Sequence, residues 1–189
     1  MHKCFILLLV FASLHAAAQD SLQAKNRAAY FSINQAIHYE GSSGSAFGVQ
    51  TIHGVSYRGW ALGAGVGIDG YRVRSVPVLL HLSRALPIRR IPVFVYAEGG
   101  PNFFWDRKEE GWFWGNKERD KGYHWDAGLQ YRAPLRNKTF LVFGAGFSEK
   151  IYSETFTSPV WCGTPDCPTM TNRFDYKFRR LALKAGFGF

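Results

Sequence analysis

Apolar and polar residues alternate with a period of two along most of the chain beyond residue 30. Over residues 123–132 the alternation is unbroken: Tyr123, Trp125, Ala127, Leu129 and Tyr131 interleave with His124, Asp126, Gly128, Gln130 and Arg132. Successive side chains of a strand point to opposite faces, so this period predicts strands and excludes amphipathic helices, whose apolar positions recur every three to four residues. The same reading gives an apolar face of Phe31, Ile33, Ile37 and Tyr39, a second of Phe47, Val49, Thr51, Val55 and Tyr57, and a third of Trp60, Leu62, Ala64, Val66 and Ile68. Further faces follow: Val76, Val78, Leu80 and Leu82; Val93, Val95 and Ala97; Leu141, Phe143, Ala145 and Phe147; and, to the last residue, Leu181, Leu183, Ala185, Phe187 and Phe189. Eight strands are expected.

Alternation alone also suits a soluble sandwich whose apolar face points inward. Three features favour the opposite sense. Large apolar side chains fill one face while the other mixes glycine with Glu98, Asp126, Arg132 and Lys184, the apolar-outside, polar-inside pattern of a membrane barrel. The connections alternate between short ones (around Arg58, 87–91, 134–138) and mostly longer ones (40–45, 69–74, 105–122, 153–172). Aromatic residues fall into two belts, Tyr57, Trp60, Tyr131, Phe187 and Phe189 at the turn side and Tyr39, Tyr71, Phe103 and Tyr123 at the loop side, as rings do at the two membrane interfaces. The predicted fold is all-β: an eight-stranded antiparallel up-and-down transmembrane β-barrel with both termini on the periplasmic side.

The start of the chain fits export to such a place. "MHKCFILLLVFASLHAAAQD" has a short basic beginning, an apolar run too short to span a bilayer, and small residues at Ala16 and Ala18, which reads as a signal peptide over 1–18 cleaved after Ala18. Residues 19–189 then form one domain, with no Pro- or Ser-rich linker. Loss of Lys3 lowers the formal net charge of +9 by one, and a basic exported protein is suited to anionic lipid surfaces and not to nucleic acid. Only Cys162 and Cys167 remain after cleavage, in "WCGTPDCP". In an oxidising compartment that spacing reads as one local disulfide, since a zinc site needs two more ligands and no histidine lies near. No metal or cofactor is expected.

The signal, the alternating strands, the turn asymmetry and the terminal "FGF" resemble small bacterial outer-membrane β-barrels of the OmpX, OmpA-barrel and opacity-protein type. "SVPVLLHLSRAL" and "IPVFVYAEGGPNF" are similar to the central hairpin of the outer-membrane beta-barrel family common in Bacteroidota. That resemblance implies that Leu183, Ala185, Phe187 and Phe189 are the signal read by the barrel-assembly machinery. It implies location in the bacterial outer membrane among its lipids, lipopolysaccharide included, as a monomer.

Candidate chemistry is sparse. "GVGIDG" matches a dinucleotide-binding pattern, but the helix such a site requires is replaced by the strand-like "YRVRSVPVLL". If the fourth and fifth strands pair around Arg89 and Arg90, His81 lies opposite Glu98 and Ser83 opposite Tyr96, which gathers an imidazole, a hydroxyl and a carboxylate. "HLS" also resembles the His-x-Ser of lipid A deacylases, with Arg84 where that family has Asn. Two readings result: a lipid-modifying hydrolase using His81, Ser83 and Glu98, or, favoured here, a buried polar network of His81, Glu98, Asp126, Arg132, Arg180 and Lys184 that satisfies itself. The third loop carries Trp112, Phe113 and Trp114, and the fourth Trp161 beside Cys162. Aromatics left wet on loops are typical contact surfaces, so these are candidates for an extracellular ligand. The favoured function is a non-enzymatic outer-membrane barrel that displays structured loops for surface interaction or envelope integrity.

Overall fold

The computed structural model describes residues 27–42, 44–88, 91–106, 108–111, 115–135, 137–159 and 169–189. The signal segment, Trp112, Phe113, Trp114, Trp161, Cys162 and Cys167 lie outside the described residues. Within them ten strands follow in order: β1 (Ala29–Glu40), β2 (Ala46–Tyr57), β3 (Trp60–Asp69), β4 (Ser75–Ala85), β5 (Val93–Phe104), β6 (Lys108–Gly111), β7 (Gly115–Arg119), β8 (Gly122–Pro134), β9 (Phe140–Pro159) and β10 (Thr169–Gly188). Antiparallel pairing runs β10-β1-β2-β3-β4-β5-β8-β9, and β9 pairs again with β10, so the sheet closes into a ring. Closure satisfies strand edges that would otherwise stay unpaired. The β2–β3 turn is two residues, Arg58 and Gly59, both at positive φ (50° and 81°), the backbone hand that matches the twist of a tight hairpin.

Side-chain burial fixes which face is which. Leu80 is 67% exposed, whereas Leu79 beside it is 1% and His81 0%. On β2, β3, β4, β5 and β8, and on β9 and β10 within the ring, the apolar set points outward as its alternation predicts. A girdle of outward Leu, Val, Ile and Phe results on those strands, far beyond the few hundred Å² of apolar patch that a water-soluble monomer leaves uncovered.

Strand β1 reverses the expectation. Phe31, Ile33, Ile37 and Tyr39 are buried inside the ring, and Asn34, Ala36, His38 and Glu40 face out. The reason is volume. A side chain begun at Gly48 would sit 3.2 Å from the Tyr39 ring, and one begun at Gly63 would sit 3.1 Å from Phe31; the glycines of neighbouring strands leave space that the large residues of β1 fill. Tyr39 and Tyr71 accordingly leave the outer aromatic belt, being 1% and 2% exposed. Tyr57, Trp60, Tyr131, Phe103 and Tyr123 do face out.

The two long loops are also largely strand. β9 and β10 are twenty residues each, about twice the 9–11 residues a strand needs to cross a bilayer. They stay paired from Thr169↔Pro159 down to Gly188↔Phe140. The β6–β7 hairpin attaches to the upper part of β9, with Asn116 opposite Thr157 and Arg119 opposite Glu154. The described parts of 105–122 and 153–172 therefore hold a four-stranded extension of one wall of the ring, made of β6, β7 and the upper parts of β9 and β10.

The interior is filled. Phe31, Ile33, Ile52, Ala61, Leu79 and Val142, with Phe140 against them, form an apolar cluster toward the turn end. Ile37, Tyr39, Ala46, Tyr71, Tyr152 and Phe178 form another toward the loop end. Between the two lies a charged layer.

Candidate functional site

That charged layer is the densest chemistry among the described residues. The β4–β5 register sets His81 opposite Glu98 and Ser83 opposite Tyr96, as alternation predicted. Both Glu98 carboxylate oxygens are used. Oε2 meets His81 Nδ1 at 3.1 Å, and Oε1 accepts from Gln50 Nε2 at 2.9 Å and from Lys184 Nζ. Lys184 also reaches Asp126 Oδ2 at 3.3 Å, and Tyr96 donates to Asp126 Oδ1 at 2.6 Å. The pair Glu98 and Lys184 has no exposed side-chain surface. A buried charge is tolerable only when paired and hydrogen-bonded, and one lysine between two carboxylates, with a tyrosine, a glutamine and a histidine around them, goes most of the way to meeting that demand; His81 Nε2 and, its ion pair with Lys184 aside, Asp126 Oδ2 have no hydrogen-bond partner among the described residues. Gly146 makes room for this arrangement: a Cβ there would collide with the Tyr96 hydroxyl and lie 3.0 Å from Asp126 Oδ1.

The hydrogen bonds of Ser83 and His81 go to different partners. Ser83 accepts from Arg132 Nη2 at 2.9 Å, and that nitrogen also donates to Gln130 Oε1 at 3.3 Å. The Arg132 guanidinium lies 4.0 Å over the Phe94 ring. His81 stacks on Tyr96 and not against the serine hydroxyl. His81, Ser83 and Glu98 are 0%, 1% and 4% exposed, facing the packed interior. Arg180 joins a different group: its guanidinium lies 4.3 Å over Tyr71, near a second ion pair in which Lys150 Nζ holds Asp69 at 2.5 Å and Ser75 Oγ at 2.8 Å. Asp69, Gln50 and Tyr96 share the inward parity that alternation gives Glu98, Asp126 and Arg180. Their inward parity was legible; their partners lie on strands distant in sequence.

A third pair sits in the extension. Glu154 accepts from Arg119 Nε at 2.9 Å and Lys117 Nζ at 3.0 Å. Burial pushes the Glu154 carboxyl up, but the hydrogen bonds from Arg119 and Lys117 outweigh it and hold the group below the ordinary carboxylate range. This pairing fastens β7 to β9 across the register Arg119↔Glu154.

The residues at the chain end take up the outward face. Leu183 and Phe187 are 45% and 57% exposed, and Ala185 lies between them on the same side. Phe189 N donates to Ser32 O at 3.0 Å and Ser32 N to Phe189 O at 2.8 Å, so the final residue makes the last rung of the β10–β1 seam.

Neither a protein-family model nor a curated protein matches the sequence. Among solved structures, the chain is similar to the outer membrane protein AlkL, determined by solid-state NMR in DMPC lipid bilayers, with a TM-score of 0.55 at 13% identity over 90% of this chain and 93% of that one. At that identity the likeness is one of fold: a closed antiparallel barrel of the small outer-membrane kind.

Proposed function

We propose that this chain is a non-enzymatic integral outer-membrane protein: an eight-stranded barrel, plugged by its own side chains, with short turns and both termini on the periplasmic side. The observation that carries this reading is the girdle of outward apolar side chains around an interior of paired charges, which inverts the arrangement of a soluble β protein. The fold shared with AlkL agrees with it. In this reading residues 1–18 are an export signal, and β9, β10 and the β6–β7 hairpin rise outside the cell as a rigid wall. The Cys162 to Cys167 disulfide and the aromatics Trp112, Phe113, Trp114 and Trp161, which lie outside the described residues, are the candidates for shaping and contacting an extracellular ligand. Lipopolysaccharide surrounds the barrel and the assembly machinery inserts it. The plugged interior suits display and envelope integrity better than conduction. His81, Ser83 and Glu98 serve as packing in this reading, because lipid has no path to them.

The test is behaviour in solution. The mature protein will need detergent or lipid to stay soluble, give a β-type circular dichroism spectrum, and run in a gel at different positions before and after heating. Recovery as a monodisperse soluble monomer without detergent would overturn the proposal.

A further inference from the structure

The outward face of β1 is an anomaly in the girdle. From the turn end upward it presents Tyr30, Asn34, Ala36, His38 and Glu40, with Ser32 on the same side but covered, while the outward residues of β3, most of β4, β5 and β8, and those of β9 from Leu141 to Phe147, are apolar. Polar residues of β2 join it. Tyr30 Oη meets His53 Nδ1 at 2.5 Å, His53 Nε2 meets Thr51 Oγ1 at 3.0 Å, Thr51 Oγ1 donates to Asn34 Oδ1 at 2.9 Å, and Asn34 Nδ2 donates to Ser32 Oγ at 3.4 Å. The chain of bonds climbs the wall between two apolar neighbours, with Phe187 beside Asn34 on one flank and Val66 beyond Thr51 on the other. At the top, His38 Nε2 pairs with Glu40 at 3.3 Å, and His38 Nδ1 has no hydrogen-bond partner among the described residues. Small residues at Ala36 and Ala185, opposite each other across the β1–β10 seam, leave a shallow groove of about 700 Å³ along this stripe, walled by Val49, Val66 and Ile68.

We propose that this stripe is the contact with a second copy of the chain, paired about a two-fold axis along the membrane normal. The argument rests on the membrane-spanning reading above. Asn34 lies five residues above the start of β1, near the middle of the apolar band, where lipid offers nothing to a polar group and each unsatisfied one costs several kcal/mol. An acyl chain in the groove would leave the amide as it is. A carboxamide has two N–H donors and a carbonyl that accepts twice; Asn34 uses one donor and one acceptor position here, so what remains is its own complement. Two-fold pairing sets like residues face to face and joins the two amides. Small residues in the seam permit that close approach, as at other intramembrane contacts. Hydrolysis of a lipid ester at His53 fits the geometry less well: the hydroxyl beside the imidazole is a threonine directed at Asn34, and β1 and β2 are paired on both sides, which uses the backbone N–H groups an oxyanion would need.

The experiment uses the mature chain in vesicles of phosphatidylethanolamine and phosphatidylglycerol, with a photoreactive benzoylphenylalanine in place of Ala36 in one sample and of Leu129, on the outward face of β8, in another. Illumination should give a covalent band at twice the chain mass from position 36 and a phospholipid adduct from position 129. Without substituted probes, single-molecule photobleaching should count two chains per spot, and the Asn34→Leu/His53→Leu variant should lower that population at least tenfold while its heat-shifted band persists. Phospholipid adducts at both positions with single-step bleaching would overturn the contact and leave the membrane reading intact. No lipid adduct at position 129 would strike at the membrane reading itself. Fatty acid released by the wild type and abolished by His53→Leu would overturn the contact in favour of an ester-cleaving site.

Discussion

Replacing Lys184 with methionine will cost the barrel about 3–5 kcal/mol, the usual penalty for removing one partner of a fully buried ion pair. Lys184 Nζ meets both Glu98 and Asp126; without it, two carboxylates remain in a buried layer between two apolar clusters. Urea titration of the folded protein in detergent, read by gel mobility, measures the loss. Adding Glu98→Gln to Lys184→Met should restore part of it, since one carboxylate then remains and the Gln50 and His81 contacts can be kept; coupled sites of this kind are not additive. A loss below about 1 kcal/mol, the range of exposed pairs, would mean that water reaches the layer and that the interior is not plugged.

Removal of Phe189 is the second large effect. The residue supplies both backbone bonds that end the β10–β1 seam, to Ser32, and its ring lies 6.2 Å from that of Tyr30. Deleting Phe189, or changing it to Asp, should lower the amount of heat-shifted barrel in the membrane fraction severalfold, whereas Phe156→Ala, in the upper part of β9 outside the ring, should leave it unchanged. Equal insertion of both variants would show that the seam closes without its last rung.

The parts of this architecture that were legible in the sequence are those that a period of two can carry. Alternation in 123–132 and 181–189 marks strand and face, although β10 begins as early as Thr169, and the spacing across the β4–β5 turn sets His81 opposite Glu98. A period, however, has two phases and no sign. Hydrophobicity supplied the sign correctly wherever the inward positions were glycine or charged, and wrongly for β1, where Phe31 and Tyr39 occupy volume that Gly63 and Gly48 leave open. That information sits on other strands. The extension was illegible for a related reason: beyond the girdle, residues such as Arg173, Asp175 and Lys177 face water, so the alternation that marks a strand fades and the segment reads as a loop. Asp69 and Lys150, 81 positions apart, are an ion pair that only the closed ring brings together.

The central claim is that the outward apolar face of the ring strands meets lipid, the β1 stripe aside, and that the other face meets a packed interior. Nitroxide labels placed singly at positions 78–83 of β4, in a Cys162→Ser/Cys167→Ser background and in phospholipid vesicles, test it most directly. The account predicts that collisions with oxygen, which concentrates in the bilayer, peak at 78, 80 and 82, and that 79, 81 and 83 are shielded from both oxygen and a water-soluble nickel chelate. High nickel accessibility at 78, 80 and 82 would place that face in water and contradict the account.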